Sequence, residues 1–299
     1  MSWWPGEGNA EDIVGTNNGI LSSGVAFASG KVNQAFFLDS TNAYFRVPAS
    51  SSLNVGLGSG LTVEGWINIS NVNGLHPICE WNDGINTIGV QFWVGANPSS
   101  QGVLYTTFLE TNGNNFVQVA SPSGTLVANT FQHVAVTYDH TSGYINLYVN
   151  GQMVANHQWG SHTPLTSYDL WVGRRPQDCG GGCWTDGTYL GGLLDELSLY
   201  NRALTSNEIA AIYLAGSGGK CPPAAAPPVI TGFNPSAGVP GTVVNVLGAN
   251  FSPVISNNIV YFGAVQATVT AASETNLTVT VPVGATYAPI TETVDGLTA

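Results

Sequence analysis

Two groups of residues in this chain have types and spacing suited to chemistry. The first lies in LGGLLDELSLYNRALTSNEIAAIYLAG, residues 190–216, which reads as a strand, a turn and a short helix. Leu193, Asp195, Leu197 and Leu199 share one parity of the strand, and Leu194, Glu196, Ser198 and Tyr200 share the other. That alternation places Asp195 on an apolar face, where an unpartnered carboxylate costs several kcal/mol or more. It also sends Asp195 and Glu196 to opposite faces, so they cannot flank one bond as a glycosidase pair does. There is no GxSxG, HExxH or P-loop, and the five histidines show no ligand spacing. The chemistry expected is binding, not catalysis.

The second group runs from Arg174-Arg175 through Cys179-Gly-Gly-Gly-Cys183 to Trp184, Asp186 and Tyr189. An exposed ring beside fixed polar groups is what a sugar needs, a flat apolar face to stack on and partners for its hydroxyls. Trp184, Asp186 and Arg174 are the candidate ligand-binding residues, with Trp81 ahead of Asn82-Asp83 offering the same chemistry on another loop. Against this, most of the eight tryptophans should fill a core, which is the reading for Trp66 and Trp171. Cys179 and Cys183 can close a small disulfide loop across the glycines, whereas zinc needs two more soft ligands and none is nearby. Cys79 can pair with Cys221, or Cys221 with a cysteine outside this sequence.

The elements that must position these groups are strands. Leu61–Ile69 alternates cleanly, as do Val134, Val136 and Tyr138, and Ile145, Leu147 and Val149 lead into the hairpin signal Asn150-Gly151. Phe36–Leu38 and Tyr44–Val47 read as a hairpin about Asp39–Asn42. Short strands separated by Asn, Gly and Ser turns indicate an all-β sandwich, not a βαβ fold. One helix is signalled, with Thr205 and Glu208 forming a capping box, Ile209, Ile212 and Tyr213 a stripe, and Gly216 the stop. Six Lys+Arg against eighteen Asp+Glu give a net charge of −12, which argues against nucleic acid and anionic membranes as partners. A hydrophobic content of 43% excludes disorder. No run is long enough to span a membrane, and no signal peptide is visible at the start, so an export signal is expected upstream.

The 190–216 stretch, with WWPGEGNAEDIVGTNNG near the start and FQHVAVTYDHTSGYINLYVNGQMVA in the middle, resembles the laminin-G-like, concanavalin A-like jelly-roll modules of bacterial secreted proteins. The resemblance covers residues 3–215 and implies a jelly roll over 1–216. It also implies a structural calcium tying the N-terminal loop to the last strand, with Glu7, Asp12, Asn18 and Asp195 as the matching oxygen ligands. The alternative is that Asp195 accepts backbone N–H groups and the loop residues only make Asx turns. After a Gly/Pro/Ala linker at 217–226, PPVITGFNPSAGVPGTVVNVLGANF, IVYFG and NLTVTVPVGA resemble an IPT/TIG immunoglobulin-like domain over 227–299, apparently without its last strand. Together these imply a non-catalytic recognition or adhesion module, extracellular or at the cell surface. Its partners would be glycans or extracellular proteins, with calcium as a structural cofactor and no membrane insertion. The alternative is a structural or filament-forming subunit that self-assembles through the C-terminal domain.

Overall fold

The computed structural model describes residues 1–39, 41–85, 87–176, 188–220, 227–294 and 297–299. It divides into two compact units, Met1–Cys221 and Pro222–Ala299. The first is a sandwich of two antiparallel sheets. The eight-stranded sheet runs Gln152–Gln158, Tyr144–Val149, Gln132–Asp139, Gly60–Ile69, Gly192–Tyr200, Gln34–Leu38 and Ala26–Ser29, with Ser2–Trp4 also paired to Gly192–Tyr200. The seven-stranded sheet runs Phe116–Ala120, Leu104–Leu109, Ile88–Val94, His76–Asn82, Asp169–Val172, Phe45–Val47 and Ile20–Leu21. Between them Val63, Ile67, Val134, Val136 and Leu147 from one sheet meet Val90, Phe92, Phe108, Leu170 and Val172 from the other, all buried. The Asn150-Gly151 hairpin forms as expected, with φ of 51° and 76° in the left-handed region that its two-residue turn requires.

Two local expectations fail for one reason: tertiary packing overrides the local pattern. Gln34–Leu38 and Phe45–Val47 are not a hairpin but belong to opposite sheets. Phe36 and Phe45 stack across the core at 4.7 Å, so the turn between them arches over the sandwich edge. Asp39 holds that arch by accepting the N–H groups of Asn42, Thr41 and Ala43, which keep its carboxyl down at about 2.

In Gly192–Tyr200 the parity changes part-way. A β-bulge lies between Asp195 and Ser198, with Glu196 at φ 59°. Before the bulge Leu194 faces the core and Leu193 does not; after it, Leu197 and Leu199 do. Asp195 therefore stands on the outer face, directly opposite Trp66, and Glu196 joins it there instead of pointing away. Gly65 makes room, since a Cβ on it would lie 3.3 Å from the Leu197 Cα.

The helix Ser206–Ala215 carries the expected capping box and packs Ile209 and Leu204 on Ala135 and Tyr148, covering part of that outer face. Beside it, Glu64 is fully buried and accepts from His133 Nε2 (3.0 Å), Lys220 Nζ (2.8 Å) and Tyr200 OH (3.3 Å). Burial favours the neutral acid, yet the Lys220 charge and the His133 hydrogen bond outweigh it and hold the carboxyl at about 2. Lys220 Nζ also donates to Ser198 Oγ and to the Glu196 carbonyl.

The second unit packs Val229–Asn234, Val243–Ala249, Asn276–Thr280 and Thr268–Ala272 against Val265–Gln266, Ile259–Phe262, Ile290–Val294 and Leu297–Thr298. Its core is Val244, Val246, Phe251, Val260, Phe262, Leu277 and Val279. At its C-terminal end the two-residue strand Leu297–Thr298 pairs antiparallel with Thr293 and Val294.

One carboxyl sits badly in this core. Glu292, opposite Val260, is fully buried and neither oxygen finds a partner among the described residues. Burial pushes it from 4.5 up to about 7. The folded state thus holds this proton more tightly than the unfolded chain. Stability of the unit should fall as pH rises through that interval and stay flat above about 7. Glu292→Met should raise the melting temperature of the second unit more at about pH 8 than at about pH 4. Calorimetry on the full chain tests this, and an equal gain at both values counts against it.

Candidate functional site

The oxygens expected to hold calcium divide into two sets. Asp12 Oδ1 accepts the N–H groups of Trp3, Val14 and Gly15, and its Oδ2 accepts that of Asn17. Asn18 Oδ1 accepts the Asp12 N–H at 2.9 Å. These side chains organise their own loop, including the Asn17 carbonyl that receives Trp4 Nε1 at 2.7 Å. Their oxygens accept backbone amides within the loop.

Glu7 Oε1 likewise accepts the Gln34 N–H at 3.3 Å, but Asp195 keeps one oxygen without a partner. Asp195 Oδ2 accepts from Lys31 and Val32 N–H at 2.7 and 2.9 Å, while its Oδ1 is buried with no partner. Burial pushes the carboxyl up to about 6, the two amides oppose this, and the Glu7 charge adds to it. Glu196 lies in the same field. Its Oε2 is buried and accepts no hydrogen bond, with the Lys220 ammonium 3.9 Å away. Burial lifts it to about 7 against the pull of Lys220, with Asp195, Glu64 and Glu7 pushing the same way. Among the described residues no three His, Cys, Asp or Glu side chains converge as a ready metal cage. The orphaned Asp195 oxygen near Glu7 nonetheless fits one hard cation whose remaining ligands are carbonyls and water.

The ligand-binding candidates also separate. Trp184 and Asp186, and the Cys179–Cys183 disulfide, lie outside the described residues. Trp81 is corrected: it belongs to the strand His76–Asn82, not a loop, and is fully buried in the sandwich core. Cys79, on the same core side of that strand, is a buried free thiol, and its candidate partner Cys221 lies outside the described residues.

Arg174 remains, on the outer face of the seven-stranded sheet. Its guanidinium lies over Tyr44 (4.7 Å), Tyr189 (5.6 Å) and Trp171 (5.9 Å). Trp171 leans on Tyr44 at 5.7 Å and receives Arg46, which pairs with Asp169. All three rings are half-buried. Trp171 was expected in the core; its neighbours of opposite parity, Leu170 and Val172, are there instead.

Next to this set is a buried cluster that sequence reading missed. Glu80, fully buried, accepts from Arg175 Nε (3.2 and 3.3 Å) and Nη2 (3.0 Å), Asn82 Nδ2 (2.8 Å), Trp93 Nε1 (3.1 Å) and Gln91 Nε2 (3.2 Å). Arg175 also lies 4.2 Å over the Trp93 ring. Burial pushes the Glu80 carboxyl up against the pull of Arg175 and the neutral donors. Alternation was the available signal: Gln91 and Trp93 have the parity opposite to Val90, Phe92 and Val94. The pairing with Arg175, 95 positions away, had no local signal. Arg174 bridges Tyr189, and Arg175 N–H donates to the Thr188 carbonyl, so strand ladders fix both arginines at the rim of this face.

Comparison with known proteins agrees with this architecture. The chain is similar to domain 4 of an extracellular arabinanase from Geobacillus stearothermophilus, solved in complex with arabinotriose. The TM-score is 0.52 at 17% identity, over 70% of this chain and 96% of that one. It is also similar to the receptor binding domain of botulinum neurotoxin D (TM-score 0.53, 15% identity, 72% of this chain), where it spans about half, 52%, of that protein. The binding domain of Paraclostridial Mosquitocidal Protein 1 aligns with a TM-score of 0.56 at 12% identity, over 98% of this chain and 69% of that one. No curated protein matches. The IPT/TIG domain family matches residues 228–298, and the family described as the concanavalin A-like lectin/glucanases superfamily matches residues 39–210. This chain belongs to the concanavalin A-like lectin/glucanases superfamily, with an IPT/TIG domain following its sandwich.

Proposed function

We propose that this chain is a non-catalytic extracellular recognition module that binds glycans on the outer face of its seven-stranded sheet, with a structural calcium on the opposite sheet. One observation carries the reading: Tyr44, Trp171 and Tyr189 stand half-exposed around Arg174 on a rigid sheet, with Asp169 and Arg46 at their edge. Rings supply stacking surface and the fixed polar groups select hydroxyls. The arabinanase domain, similar in fold, was solved with a trisaccharide, which supports the same ligand class. Glu80 and Asp169 on this face are both committed to ion pairs with Arg175 and Arg46. Trp171→Ala should weaken binding of the best ligand on a glycan array about tenfold while leaving the fold intact. Unchanged affinity by calorimetry would place the site elsewhere.

Calcium would be held by Asp195 Oδ1 and Glu7, completed by backbone carbonyls and water. Its charge would offset the Glu7, Asp195 and Glu196 carboxylates, which repel one another across the bulge. Chelator should then lower the melting temperature of the first unit, and Asp195→Ala should abolish that sensitivity. Identical melting of the wild type with and without chelator excludes the ion.

A further inference from the structure

Resting on the reading of this face as a sugar site, we propose that its ligand is an acidic glycan, gripped through a carboxylate by the Arg174 guanidinium. The chain has six Lys and Arg in all, and three of them, Arg46, Arg174 and Arg175, stand at this one face. A protein of net charge −12 thus gathers half of its cations in one place. Two of the three are neutralised at once, Arg46 by Asp169 and Arg175 by Glu80. Arg174 has no carboxylate among the described residues.

What holds Arg174 is three rings, and rings satisfy only the faces of a planar cation. Its five N–H donors point outward in the plane. One of them, on Nη2, reaches the Pro176 carbonyl at a long 3.4 Å, and Nε is buried with no acceptor. The cation is thus fixed in orientation but poorly satisfied along its edge. A carboxylate arriving in that plane meets the charge and two parallel donors, the geometry for which a guanidinium is pre-organised. The sugar ring behind it would rest on Trp171 or Tyr44. A neutral hydroxyl can accept one such hydrogen bond but leaves the charge uncompensated. Because Arg174 is half-buried, the attraction is screened less than at an open surface.

The test is calorimetry on the full chain with uronic- and sialic-acid-terminated oligosaccharides, each paired with its methyl ester, alongside neutral arabino-oligosaccharides. At least one acid should bind about tenfold or more tightly than its ester. Arg174→Gln should erase that preference while leaving the circular dichroism spectrum unchanged. Arg174→Lys, which keeps the charge and loses the fork, should retain part of it. Acid and ester binding equally, or neutral sugars alone binding, overturns the carboxylate and leaves the recognition face standing. Silence from every glycan removes the sugar reading itself, and this inference with it.

Discussion

The structure depends on one extra residue in its central strand. The bulge at Asp195–Ser198 lets Gly192–Tyr200 present Leu194 to the core on one side and Leu197 and Leu199 on the other, a register that strict alternation forbids. This strand pairs with Gly60–Ile69, Gln34–Leu38 and Ser2–Trp4, so its geometry fixes where three others lie. The inserted residue is a glutamate at positive φ, an unfavourable choice on backbone grounds alone. Its effect is to bring two consecutive carboxylates to the same outer face, where burial raises both and the Asp195 charge adds to the rise of Glu196.

The two outer faces of the sandwich consequently differ in kind. On the eight-stranded sheet, Glu7, Glu64, Asp195 and Glu196 meet Lys220, and Lys31 lies over Trp66. On the seven-stranded sheet, three arginines meet two carboxylates amid rings. Among the described residues the sandwich thus has one acid-rich face and one cation-rich face, separated by the apolar core. A cation is attracted to the first and an anion to the second, by charge placement alone.

Much of this was legible in the residues. The alternation of Leu61–Ile69, the Asn150-Gly151 turn and the Thr205 capping box each name a structure through local chemistry, and each formed. The bulge was not legible, because a one-residue insertion leaves the hydrophobic pattern plausible in either register. Phe36 and Phe45 suggested a hairpin because their turn is short and polar; only the opposing sheet shows that both fill the same core. At the candidate site, Arg174 and the need for aromatic neighbours could be read, but Trp81 was assigned to a loop and hence outward. The true neighbours, Tyr44 and Trp171, come from segments far apart in sequence and meet only through strand pairing.

Lys220 has a mechanical meaning. It is the last described residue of the first unit, and its ammonium is held by Glu64 on one central strand and by Ser198 and the Glu196 carbonyl on the next, 5.2 Å from the Trp3 ring. A pull arriving along the chain from beyond residue 220 therefore reaches the sheet's two middle strands together, bypassing the helix that ends at Ala215. The helix need not be peeled off from its C-terminal end for the load to be borne. The end of the described sandwich is thus a rivet through two neighbouring central strands.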